Sequence, residues 1–274
     1  MNCIVIGDMG KGSPEQFQVA KCMKRLYKKH NIKFVIGVGD NIYPDGCSSV
    51  NDPNFTDKFE KPYSILPDDR WYMCLGNHDY GYQQDGVNGL IDNSRYQVEY
   101  TTHSNKWFMP SKYYSFVKGP VEFFYLDTNL DRMSESTIQK QLHQMKHKLD
   151  TSKKKWKVIV GHHTWRSIAG HGNAEPMLET FLNDLFKDTK PTMYMCGHDH
   201  CKSIMIKDGI TLVTSGNGGE VYDEPDVNLK YMHDCQLNYF SPSLGFAILK
   251  SKNKSLGIDF YNSKGFREYH HEIK

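Results

Sequence analysis

Arg70-Trp71-Tyr72-Met73-Cys74-Leu75-Gly76-Asn77-His78-Asp79 joins a mostly apolar run to a glycine, an amide, an imidazole and a carboxylate. The run reads as a buried strand and the glycine as the turn that ends it. The same order, apolar run then glycine then polar donor, recurs at four other places. Residues 2–7 lead to Asp8, residues 34–39 to Asp40, and residues 158–161 to His162. Residues 193–197 lead to His198, with His200 two positions on. A single polar residue after a strand is ordinary loop chemistry, but five runs that all end in hard oxygen or imidazole donors form a pattern. In open α/β sheets, ligands bind beyond the carboxyl ends of the strands. The five runs therefore aim Asp8, Asp40, Asn77, His162, His198 and His200 at one rim, as a metal site requires.

Outward from these runs, Ser13-Pro14-Glu15 supplies an N-cap, a proline at the first helical position and an early acid. Phe17, Ala20, Met23, Leu26 and Tyr27 follow at helical spacing. Strand, helix and strand up to Asp40 make a βαβ unit, so the first two strands should be parallel. Residues 41–69 read as loop with a short helix near Phe59. Residues 80–112 hold Tyr80, Tyr82, Tyr96, Tyr100, Trp107 and Phe108 without clear period, and because they leave the Asn77-His78 turn they are expected to face substrate. Residues 113–117 and 121–126 form a hairpin through Lys118-Gly119-Pro120. Ser136-x-x-Gln139 reads as a capping box before a helix with Ile138, Leu142, Met145 and Leu149 on its core face. Pro176 opens another helix, and short strand patterns dominate after His200. The expectation is two sheets packed face to face with helices outside, as one domain over 1–274.

Composition narrows the function. With 274 residues the chain can bury a sizeable core, and a net charge of +2 argues against a broad basic face for nucleic acid. No apolar run is long enough for a transmembrane helix. The first apolar run leads straight to Asp8 and no signal peptide is visible, so the expectation is either a cytoplasmic location or a leader absent from this sequence. Seven cysteines without C-x-x-C spacing, three of them (Cys3, Cys74, Cys196) in expected strands, read as reduced core thiols. The sequons at Asn54 and Asn253 are what chance supplies in an Asn-rich chain.

Two carboxylates, one amide and three imidazoles suit borderline or hard ions such as iron, zinc or manganese. Six donors are too many for one catalytic ion with an open position, whereas two bridged ions use them all. Asp40, in the middle of the set, is the natural bridge. Ordinary dinuclear phosphoesterases carry Asp-x-His in the first motif, where this chain has Asp8-Met9-Gly10. Tyr43, three residues after Asp40, can supply the missing ligand as a phenolate, which favours ferric iron.

With Gly76-Asn77-His78-Asp79, Gly161-His162 and Gly197-His198-Asp199-His200, this set resembles the purple acid phosphatases, especially the small tartrate-resistant type. Tyr125-Leu126-Asp127-Thr128, residues 167–172 and residues 243–247 extend the resemblance over almost the whole chain. It implies the metallophosphoesterase fold, a four-layer αββα sandwich of two mixed sheets flanked by helices. It further implies Fe(III) held by Asp8, Asp40, Tyr43 and His200, and a divalent ion (Fe, Zn or Mn) held by Asp40, Asn77, His162 and His198. Two carboxylates and one phenolate leave such a pair of ions net positive, which attracts a phosphate dianion. The implied reaction is hydrolysis of phosphate monoesters by in-line attack of a metal-bound hydroxide, without a phosphoenzyme. Its substrate would be a phosphorylated small molecule or a phosphoprotein. In the family the equivalents of His78 and His171 face the phosphate and assist the leaving group. The small mammalian enzymes have a glutamate before the second of these, where this chain has Gly170. His163, directly after a ligand, is expected to point away, and residues 214–219 to shape the rim or form an ordinary turn. A phosphodiesterase or nucleotidase of the same fold and a non-catalytic phosphate-binding relative are the alternatives. The family's secreted or lysosomal habit stands against the missing leader.

Overall fold

The computed structural model describes residues 1–81, 92–222, 229–252 and 254–274. The strand Asn2–Ile6 pairs in parallel with Val35–Gly37, Val5 opposite Ile36, and the helix Pro14–Lys29 connects them. Ser13 caps that helix by accepting the N–H of Gln16, and Pro14 fills its first turn. Among the described residues the strands form two seven-stranded sheets. The first runs in the order Arg267–Ile273, Leu256–Asn262, Gly245–Ser251, Asn2–Ile6, Val35–Gly37, Trp71–Tyr72 and Trp107–Phe108. The second runs Gln236–Ser241, Lys202–Lys207, Ile210–Ser215, Met193–Cys196, Trp156–Val160, Val121–Tyr125 and Tyr114–Lys118. Both mix parallel and antiparallel pairs.

The sheets pack face to face. Phe34, entering its strand, meets Phe123 and Phe116 of the second sheet edge-on at 5.9 and 6.1 Å. In Val121–Tyr125 and Trp156–Val160 successive side chains go to opposite faces. Phe123 and Val158 enter the core between the sheets, while Phe124 and Ile159 pack under the helices Glu135–Thr151 and Pro176–Thr189. Strands covered on both faces need apolar residues at every position, so they appear in the sequence as continuous runs. On the far side the helix Pro14–Lys29 buries Val19, Met23 and Leu26 against the first sheet. The helix–sheet–sheet–helix layering is the metallophosphoesterase arrangement expected above.

Two local expectations fail. The helix Glu135–Thr151 is capped by Ser134, whose Oγ accepts the Thr137 N–H at 3.3 Å, and Ser136 lies inside its first turn. Tyr80, Tyr100 and Trp107 are core residues, not substrate-facing ones: all three are buried, and Tyr100 stacks on Phe55 at 3.7 Å. Tyr82 and the rest of 82–91 lie outside the described residues, as does Asn253 of the second sequon. The edge strands Gln236–Ser241 and Arg267–Ile273 were not anticipated. All seven cysteines are unpaired, and no helix among the described residues is long and apolar enough to cross a membrane.

Candidate metal centre

Five predicted ligands follow the carboxyl ends of strands that pair in parallel, and Tyr43 and His200 come from the loops beyond them. Asn2–Ile6, Val35–Gly37 and Trp71–Tyr72 lead to Asp8, Asp40 and Asn77, and Trp156–Val160 and Met193–Cys196 to His162 and His198. Asp8, Asp40 and His198 adopt φ of 54°, 48° and 69°, the left-handed region that L residues rarely occupy. Such a conformation costs about 1–3 kcal/mol and persists only where the surroundings over-determine it. The glycine that precedes a ligand also has a steric cause. A Cβ on Gly76 would lie 2.1 Å from Asp40 Oδ1, in the space the neighbouring carboxylate fills.

The donors converge. Tyr43 Oη lies 2.9 Å from Asp40 Oδ2, 3.3 Å from Asp8 Oδ1 and 3.2 Å from His200 Nε2. His162 Nε2 lies 3.4 Å from Asp40 Oδ1 and 3.1 Å from Asn77 Oδ1, with the His198 ring centroid 5.1 Å from its own. Asp40 therefore turns one oxygen to a group of Asp8, Tyr43 and His200, and the other to a group of Asn77, His162 and His198. One ligand atom each from Asp8, Asp40 and His162 falls within 4.8 Å of the others. Gly10 fits this arrangement: its carbonyl accepts the Tyr43 N–H at 2.9 Å, and a Cβ there would meet Asn41 O at 1.7 Å. The loop that brings Tyr43 in has no room for a histidine at position 10.

The electrostatics suit cations. Burial works to raise the Asp40 carboxyl, but His162 and His78 hold it below the usual carboxylate range. Burial and the charge of Asp40 push Asp8 up. Burial opposes a charged His162, yet Asp40 and Asp8 raise it to about 10, so a proton is held where two carboxylates need positive charge. His198 and His200 are lowered, chiefly by burial, His200 to about 4, which leaves them as neutral imidazoles with lone pairs to give. Val38 O accepts from His162 Nδ1 at 2.9 Å, so Nε2 is the nitrogen aimed at Asp40 and Asn77. Buried carboxylates, a phenol and neutral imidazoles in this grouping fit hard or borderline metal ions.

The outer support was only partly legible. Asp79, fully buried, accepts the N–H groups of Gly76, Asn41 and Ile42 and the amide of Gln97, joining the loops that carry Asp40 and Asn77. Its place in the Gly-Asn-His-Asp motif was the available signal. Glu220 approaches His200 Nδ1 at 3.6 Å and pairs with Lys11, whose ammonium sits 4.1 Å above the Tyr43 ring. Residues 214–219 shape the rim: Ser215 O accepts the Gly7 N–H and Gly218 N–H donates to Gly7 O.

Of the two histidines expected to face substrate, His78 packs against Tyr43 at 4.3 Å and donates its main-chain N–H to Asp40 Oδ1. His171 is exposed, stacks on His198 at 4.0 Å and places Nε2 3.1 Å from the hydroxyl of Tyr222. Tyr222, which the sequence did not single out, also stacks on His200 at 4.5 Å. His163 does not point away: its ring lies 4.6 Å from that of His198. A cavity of about 630 Å³ opens beside Asn77, His163, His171 and His198 and extends to Arg132 and Met177.

A fold of two sheets with carboxylates and imidazoles gathered at their strand ends is that of a metal-dependent phosphoesterase, and residues 1–202 match the family model described as calcineurin-like phosphoesterase. The chain is 32% identical to purple acid phosphatase 7 of Arabidopsis thaliana, over 97% of this chain and 83% of that one. It is 26% identical to tartrate-resistant acid phosphatase type 5 of Rattus norvegicus, over 96% and 86%. Its fold also superposes on GAP50, the anchor in the inner membrane complex of Plasmodium, with a TM-score of 0.86 at 22% identity, covering 100% of this chain and 88% of that one. That last likeness concerns the fold alone. The chain belongs to the calcineurin-like phosphoesterases, among the purple acid phosphatases, which are hydrolases.

Proposed function

We propose that this chain is a dinuclear acid phosphatase that hydrolyses phosphate monoesters. The observation that carries the reading is the division of Asp40, with Oδ2 2.9 Å from Tyr43 and Oδ1 3.4 Å from His162. Asp8, Tyr43 and His200 with Asp40 are assigned to Fe(III), and Asn77, His162 and His198 with Asp40 to a divalent Fe, Zn or Mn. Burial, then Asp8 and Asp40, push the Tyr43 phenol well up, so only an ion of high charge draws off its proton, which favours ferric iron on that side. When bound, the two ions supply an activated water and offset the charge of the phosphate.

The chain's own groups do the rest. Asp79 fixes the Asp40 and Asn77 loops so that the donors are preorganised. Pro44 O accepts from His78 Nδ1 at 2.6 Å, so His78 Nε2 can give a proton only from the imidazolium form. That makes His78 a general acid for the departing alkoxide, with His171 beside the cavity as its partner. The cavity takes the organic part of a phosphorylated small molecule or phosphoprotein side chain. The test is metal analysis of purified protein alongside a panel of mono- and diesters. Two metals with at least one iron, and turnover of monoesters over diesters, is the expected result; a single metal, or a preference for diesters, contradicts it.

A further inference from the structure

His163 follows His162 directly, yet its ring turns into the site. The strand Trp156–Val160 ends before Gly161, so the alternation of a strand no longer governs these two positions. The ring lies 5.1 Å from that of His162 and 4.6 Å from that of His198, and it lines the cavity with Asn77, His171 and His198.

What the ring can do there follows from one hydroxyl. Thr128 Oγ1 lies 3.2 Å from the main-chain nitrogens of both His162 and His163 and accepts both N–H groups. A hydroxyl offers one proton and two lone pairs. With both lone pairs engaged, its proton goes to its third neighbour, His163 Nδ1, at 2.8 Å. Nδ1 is thereby an acceptor, and the neutral imidazole carries its hydrogen on Nε2. The ring's one side-chain hydrogen bond among the described residues is that of Nδ1, and the residue lines the cavity, where Nε2–H is left to donate.

We propose that His163 is a substrate-binding residue whose Nε2–H donates to an oxygen of the phosphoryl group held beside Asn77 and His198. The inference rests on the phosphatase reading and deepens it. Unlike His78, His163 transfers no proton. Thr128 holds it as a fixed neutral donor, so it contributes the same hydrogen bond to substrate and to product phosphate. The ligand chemistry it selects is a tetrahedral oxyanion with a free acceptor oxygen on the cavity side.

The test uses metal-loaded protein with inorganic phosphate as probe. His163→Phe keeps a ring and removes the donor, whereas His163→Gln places an amide N–H near the position of Nε2. One neutral hydrogen bond predicts roughly 2- to 10-fold weaker phosphate binding for the Phe variant. The Gln variant should recover most of that loss, and KM should rise with little change in kcat. The tautomer is read separately, from long-range proton–nitrogen spectra of zinc-loaded wild-type protein, with the His163 signals assigned by their loss in His163→Gln. Nε2 protonated and Nδ1 bare is expected. A protonated Nδ1, or phosphate binding by His163→Phe as tight as wild type, overturns the proposal. Wild type that binds phosphate but hydrolyses no monoester overturns the phosphatase reading instead, and phosphate affinity and tautomer still decide the role of His163.

Discussion

Asp79 receives the main-chain N–H of Asn41 on both carboxylate oxygens, at 3.0 and 3.1 Å, and the Asn41 amide at 3.0 Å. The same buried group takes the N–H of Ile42 at 3.1 Å and of Gly76 at 2.7 Å. Asp79→Asn keeps the shape but puts two donors where only acceptors suit. Stability should fall by about 2–3 kcal/mol, since charge-assisted bonds in a buried network are lost. Metal affinity should fall by roughly 10–100-fold, the usual cost of disturbing a ligand's support. Urea unfolding and chelator competition measure both, and an Asp79→Asn protein that matches wild type in each would show that Asp79 is incidental.

Asp40→Ala should be the most damaging single change to metal content. Its two oxygens face two different donor groups, so its removal weakens both at once. Asn77→Ala touches only the group of His162, whose Nε2 lies 3.1 Å from the Asn77 amide oxygen. Elemental analysis should find less than one metal per chain in Asp40→Ala and about one in Asn77→Ala, as expected when a bridging ligand is compared with a terminal one. Equal content in the two variants would refute the bridging assignment.

The rim where these donors gather was readable because its strands are buried on both faces, so each announces itself as an unbroken apolar run that a glycine cuts off. Arg267–Ile273, an edge strand rich in charge and histidine, sends no such signal, and Trp107–Phe108 is too short to send one. The aromatics Tyr80, Tyr100 and Trp107 lack a period because their partners are remote: Phe55 is forty-five positions from Tyr100 in the chain. His163 was misread by extending strand alternation past the strand's end. Tyr222 reaches His171 across 51 residues, a contact that no local pattern encodes.

Tyr43→Phe should leave the oxidised, iron-loaded protein without its purple or pink colour. The Tyr43 oxygen sits among Asp8, Asp40 and His200; on the proposed assignment its phenolate would be the source of charge transfer to Fe(III). The substitution keeps the ring that packs on His78 at 4.3 Å, which limits the structural change. A visible absorption band that survives it would assign the colour to another ligand.

Away from the rim, buried Arg166 pairs with Glu179 and with Asp234, the latter at 2.7 Å, and Lys207 reaches Asp234 at 2.6 Å. Against partial burial, Arg166 holds the Glu179 carboxyl below its ordinary value, and hydrogen bonds from Arg166, then Lys207, do the same to Asp234. A carboxylate with a lowered folded pKa contributes stability that is complete above its unfolded pKa and is lost as pH falls through the folded one. The pairs should therefore contribute fully from neutral pH down to about 5 and progressively less below about 4. Glu179→Gln should cost about 1–2 kcal/mol near neutrality, discounted for its partial exposure, and little near pH 3. Chemical unfolding of both proteins across this range is the check; a cost that grows toward acid would reverse the assigned sign.

The division of labour between His78 and His171 follows from what each ring meets. Phosphate esters leave as alkoxides or phenoxides, and a poor leaving group needs a proton as the bond breaks. A positioned general acid is typically worth ~10²–10⁴-fold there and far less for a good leaving group. His78 Nδ1 is tied to Pro44 O at 2.6 Å, which orients Nε2 for donation from the imidazolium. His171 Nε2 instead faces the Tyr222 hydroxyl at 3.1 Å, a neutral partner, and the preceding residue is Gly170. The Tyr222 hydroxyl holds His171 Nε2 in a neutral hydrogen bond, so this nitrogen is less free than that of His78 to reach the leaving group. His78→Ala should lose more turnover on an alkyl phosphate than on a nitrophenyl phosphate, and His171→Ala should lose less than His78→Ala on the alkyl ester. Tyr222→Phe should then change His171-dependent turnover by only a fewfold, since it removes one neutral hydrogen bond. Equal losses on the two esters would mean that these histidines bind phosphate and do not protonate the leaving group.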